Sequence, residues 1–145
     1  MAHNMDARAL RAWLRDCPAV GREAAFGVDY LGAEAGSWAI CRLATELKRR
    51  ENILGEAALA RRQTREYGLD FRGIHSGDPA GNMESLERLD EAAAWVRERN
   101  AEGDLPQWNG GRVTAVLPAV SAAVEEIGKG TARYRLRLRA AYQLD

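Results

Sequence analysis

The side chains able to do chemistry in this chain are few and do not converge. Its histidines are His3 and His75 and its cysteines Cys17 and Cys41, and no spacing among them makes a zinc ligand set. His75 stands in a run rich in turn formers, Gly73 to Gly81, and reads as an exposed loop residue rather than a general base. Cys41 lies in an alternating apolar stretch and reads as core. Ser37, Ser76, Ser85 and Ser121 have no nucleophile-elbow context, and Gly27, Gly32 and Gly36 make neither a dinucleotide fingerprint nor a phosphate loop with its lysine. The carboxylate pairs Asp90-Glu91 and Glu125-Glu126 are sequence neighbours, which do not meet over one substrate atom on a helix or a strand. The expectation is a protein with no catalytic residue, no metal and no cofactor.

What does stand out is a pattern of charge. In Thr131 to Tyr142, Arg133, Arg135, Arg137 and Arg139 alternate with Tyr134, Leu136, Leu138, Ala140 and Tyr142. Successive side chains of a strand point to opposite faces, so the pattern predicts a strand with one apolar and one cationic side. At roughly 3.3 Å per residue it would run about 40 Å, twice the usual strand. Its arginine side has several readings: a solvated face, a face covered by the protein's own carboxylates, a guard against edge pairing, or a surface for a neighbouring subunit or nucleic acid. The exposed aromatics of a base-stacking platform are missing, because Tyr134 and Tyr142 fall on the opposite side.

The elements needed to position that strand fit one domain. A chain of 145 residues is long enough for a single core. Lys plus Arg and Asp plus Glu each total 21, so net charge gives no steering toward DNA or a membrane. Charge is nonetheless segregated. From Gly81 to Leu105, Glu84, Glu87, Asp90, Glu91, Glu98, Glu102 and Asp104 outnumber Arg88, Arg97 and Arg99, whereas from Gly128 onward Lys129 and the four arginines face only Asp145. Opposite local charges favour self-complementary packing within or between copies. The cysteines are expected to be reduced and the chain intracellular, since it shows neither a signal peptide nor an apolar run long enough to span a bilayer.

Asp6 is placed to cap a helix carrying Leu10, Trp13 and Leu14, ended by Pro18. Phe26–Tyr30 and Ser37–Arg42 alternate and are separated by glycines, which predicts a hairpin with Trp38 and Ile40 inward. Thr45 to Gly55 reads as a charged surface loop. Over 56–71 helical and strand periods compete, and a strand through about Tyr67 is favoured. A second helix, capped by Asn82 or Ser85, carries Leu86, Leu89, Ala93 and Val96 inward and acids outward, and ends at Gly103 and Pro106. The type of 112–120 is ambiguous, with an edge strand or a break near Pro118. A strand from about Val120 to Ile127 then pairs with the arginine strand. The fold class predicted is α+β: a mainly antiparallel sheet with two main helices against one face.

Several short motifs occur in order along nearly the whole chain: Ala12-Trp13-Leu14-Arg15-Asp16-Cys17-Pro18; Val28-Asp29-Tyr30-Leu31-Gly32 leading to Gly36-Ser37-Trp38-Ala39-Ile40; Arg65-Glu66-Tyr67-Gly68; Trp95-Val96-Arg97-Glu98-Arg99-Asn100 with Gly103-Asp104-Leu105-Pro106; and Thr131-Ala132-Arg133-Tyr134-Arg135-Leu136. Together they resemble the phage minor capsid proteins understood as tail terminators of long-tailed bacteriophages of Gram-positive hosts. Here Arg61, Arg62 and Gln63 stand where that family is usually more apolar and aromatic. The resemblance implies a virion protein of the tail and neck, made in the host cytoplasm. It would form a homo-hexameric ring that caps the tail tube, ends its polymerisation and meets the head–tail connector. Its partners would be further copies of itself, the major tail tube protein and the connector or stopper protein, with genomic DNA passing through without sequence-specific contact and no membrane. For the subunit interface the charges point to Arg133, Arg135, Arg137 and Arg139 against Glu87, Glu91 and Glu98, in the same or an adjacent copy. The alternatives are a head-completion or neck protein touching portal and DNA, and a small nucleic-acid-binding module using the arginine face.

Overall fold

The computed structural model describes residues 5–43, 49–51, 57–59 and 61–145, with 49–51 and 57–59 described by backbone alone. Its elements in chain order are α1 (Ala7–Leu14), β1 (Phe26–Val28), β2 (Trp38–Arg42), β3 (Arg49–Glu51), β4 (Ala57–Leu59), β5 (Arg62–Ile74), α2 (Pro79–Ala101), β6 (Gly111–Pro118), β7 (Ala123–Ile127) and β8 (Thr131–Leu144). The main sheet runs β1-β2-β5-β8-β6, with β7 also on β8. β5 follows β8 antiparallel from Arg62↔Gln143 to Ile74↔Thr131, while β6 and β7 share the other edge of β8. The class is α+β and the sheet mostly antiparallel, as the patterning predicts.

The pleat of β8 decides where the core lies. Tyr134, Leu136, Leu138, Ala140 and Tyr142 are all buried, on the side where α1 contributes Leu10, Trp13 and Leu14 and α2 contributes Leu89, Ala92, Ala93 and Val96. Each large apolar side chain taken from water there contributes about 1.5–3 kcal/mol, so this side holds the domain together. The two helices are tied to each other as well. Trp13 Nε1 donates to the Asp104 carbonyl at 2.9 Å, and its ring stands 4.9 Å from that of Trp95.

Local signals explain the element ends, with some corrections. Asp6 caps α1 as expected, accepting from the Arg8 backbone N–H. The cap of α2 is Asp78, not Asn82 or Ser85, with Pro79 in the first turn where its missing N–H costs nothing. The long loop predicted over Gly73–Gly81 therefore shrinks: Gly73 and Ile74 finish β5, and Pro79 to Gly81 are already helical. Asn82 braces the short link instead, exchanging hydrogen bonds with the backbone of Ser76. Gly73 is required where α2 crosses β5, since a Cβ there would fall 2.2 Å from Ser85 Oγ. β5 continues past Tyr67 because β8 offers it a partner all the way to Thr131.

The hairpin predicted from Phe26–Tyr30 and Ser37–Arg42 does not form, because β1 runs parallel to β2 with Phe26 opposite Trp38. Asp29 takes a left-handed conformation (φ 55°), and the chain folds back so closely that a Cβ on Gly27 would meet the Tyr30 carbonyl at 2.2 Å. With only three residues in β1, a short return suffices where longer parallel strands need a dozen residues or more. Within the charged loop predicted over Thr45–Gly55, Arg49–Glu51 is a strand paired antiparallel with Ala57–Leu59, and the remaining residues lie outside the described ones. β6 is an edge strand ending at Pro118, and β7 begins at Ala123 rather than Val120. Among the described residues no helix is long and apolar enough to cross a membrane.

Candidate interaction face

The second side of the sheet carries the arginines, and its two ends differ. At the start of the row, Asp70 of β5 is fully buried, held by Arg133 Nε at 2.6 Å and by Arg135 Nε and Nη2 at 2.7 and 2.9 Å. The Arg133 and Arg135 side chains retain only 23% and 14% of their exposure. Two guanidinium groups satisfy the oxygens of this carboxylate with charge-assisted bonds, and the bond from Asp70 in turn holds Arg135 charged against its burial. Gly68 makes this possible: a Cβ there would stand 2.6 Å from Arg135 Nε, so only glycine lets that side chain lie flat across β5.

Cys41 borders the same cluster, its Sγ 3.5 Å from both Asp70 Oδ2 and Arg133 Nη2. Burial pushes its thiol up to about 11, with the Asp70 charge adding to the effect against the pull of the arginines. At that value it stays a protonated, hydrogen-bonding thiol at neutral pH. Leu31, from the loop after β1, packs with Ala39 and Cys41 and closes this end of the face.

Toward the far end the row opens. Arg137 and Arg139 keep 40% and 58% of their side-chain exposure. A bulge in β7 between Val124 and Glu126 turns Glu125 toward this side, where it stands 3.3 Å from Arg135 and 3.8 Å from Arg137. Glu66 meets Arg139 directly across the strand pair at 3.0 Å. The pairs made by Arg137 and Arg139 are part-exposed and contribute a few tenths of a kcal/mol each.

Scanned against protein-family models the chain matches none, and no curated protein matches it either.

Glu87, Glu91 and Glu98 are exposed on the outer surface of α2, across the sheet from the arginines. Among the described residues the two sets do not meet within one copy: the acids that pair with the arginines there are Asp70, Glu125 and Glu66. Those three acids escape a reading of single segments because their role depends on strand register. Alternation alone puts Asp70 and Gly68 on one side of β5 and Leu69 and Phe71 on the other, which is the signal that could have found Asp70. His75 is half-buried rather than open, its Nδ1 3.0 Å from the Tyr134 hydroxyl. Along the β6–β7 edge, Leu117, Val120, Val124 and Ile127 are exposed despite their size.

Proposed function

We propose that this protein is a structural subunit of a long-tailed phage virion, a tail terminator that closes into a ring on the end of the tail tube. A ring joined head to tail needs two different, mutually complementary surfaces on each copy. The observation that carries the reading is the opposition of charge across the fold: Glu87, Glu91 and Glu98 lie on the outer surface of the helix layer, and on the far side of the sheet Arg139 is exposed and Arg137 half-exposed. In a ring the acids of one copy would face the arginines of the next. Exposed Leu117, Val120, Val124 and Ile127 along the neighbouring edge supply apolar area to hold such a contact, while the charges set its register. The ordered motifs that resemble those of tail terminators give the reading its specific form. That form has no catalytic step and no cofactor. Its partners are further copies, the tail tube protein below and the head–tail connector above, with DNA threading the lumen.

Mass photometry of the purified protein, alone and with tail tube protein, tests this. A discrete assembly of about six copies is expected. Monomer under both conditions would contradict it.

A further inference from the structure

A cavity of about 700 Å³ opens on the helix side of the sheet, beyond the start of α1. Arg8, Arg42, Arg65, Asp6, Asp29 and Trp108 line it. Both acids are already engaged. Asp6 caps α1, and Asp29 accepts from the Arg42 backbone N–H at 2.8 Å and from its guanidinium at 2.6 Å. Burial works against the charge on Asp29, but the bonds from Arg42 and the nearby charges of Arg42 and Arg65 outweigh it and hold its carboxyl below the ordinary range.

Arg8 and Arg65 are the lining cations with no ion pair among the described residues, and Arg65 is the less exposed of the two. Its guanidinium carbon stands 5.9 Å from the centre of the Tyr67 ring, and its Nε is buried with no hydrogen-bond partner among the described residues. That Nε is sealed off from the cavity, so what an anion entering it would meet is the positive charge of the Arg65 guanidinium, which no carboxylate among the described residues neutralises by an ion pair. Guanidinium groups match the paired oxygens of carboxylates and phosphates, and the cavity is large enough for an organic body against Trp108.

We propose that this cavity binds an oxyanion, a carboxylate or phosphate carried on a small organic body, with Arg65 as its main ligand. The site is separate from the arginine face and does not depend on ring formation.

Titrating ¹⁵N-labelled protein with inorganic phosphate and, separately, with benzoate tests it, read on the arginine Nε–H signals. The Arg65 signal should shift saturably with at least one probe, and the tighter probe identifies the anion type. Arg65→Met should weaken that binding about tenfold or more, and Arg65→Lys, which keeps the charge but not the planar fork, should also weaken it. Arg22→Met, whose side chain pairs with Asp16 on the surface, should leave it unchanged. No saturable shift with either probe, or equal binding by the Arg65→Lys protein, would overturn the proposal.

Discussion

The two ends of the arginine row on β8 are alike in sequence and unlike in physics. Arg133 and Arg135 close over a buried Asp70 beside Cys41, whereas Arg137 and Arg139 meet Glu125 and Glu66 at the water boundary. In the first setting each charge has given up its hydration, so losing one partner leaves another uncompensated, and the cost exceeds what the pair itself contributes. In the second, water stands in for a lost partner. A ladder of identical residues thus divides into a structural half and a half free to meet something else.

The sharpest way to break this division is at Asp70. Asp70→Ala leaves two largely covered guanidinium groups facing each other and should cost about 3 kcal/mol in urea unfolding, with an unchanged slope. Loss below about 0.5 kcal/mol would mean that this end is as wet as the other. Next in size is Gly68→Ala, whose methyl must displace Arg135 from its path to Asp70; a loss of about 1–2 kcal/mol is expected from the same measurement. Smallest is Arg139→Met, expected to change stability by less than about 0.5 kcal/mol because its pair with Glu66 is exposed. If the Arg139 and Asp70 variants lost equal stability, the row would have to be treated as one network.

Strand alternation made β8 legible: from Tyr134 to Tyr142 the buried and arginine positions fall as the sequence orders them. The same was true of Asp6, of the apolar stripe of α1 and of the stop at Pro118, each set by a local rule. What could not be seen was settled by contacts distant in sequence. The start of α2 at Pro79 is masked in sequence by glycines and a proline that look like loop, and the parallel run of β1 depends on a backbone reversal at Asp29. Asp70 sits 63 residues from Arg133, and only the register of β5 on β8 brings them together. The cavity beside Arg65 is assembled from α1, β2, β5 and the segment before β6, so no single motif announces it.

The claim on which the functional reading turns is that the exposed arginines of one copy meet the α2 glutamates of the next. Charge exchange tests it most directly. One variant carries Arg137→Glu with Arg139→Glu, another Glu87→Arg with Glu91→Arg and Glu98→Arg, and a third all five. Each of the first two, folded by circular dichroism, should fail to assemble by mass photometry, and the third should recover the assembly. Rings formed by either single-face variant would contradict the account, as would failure of the folded five-fold variant to reassemble.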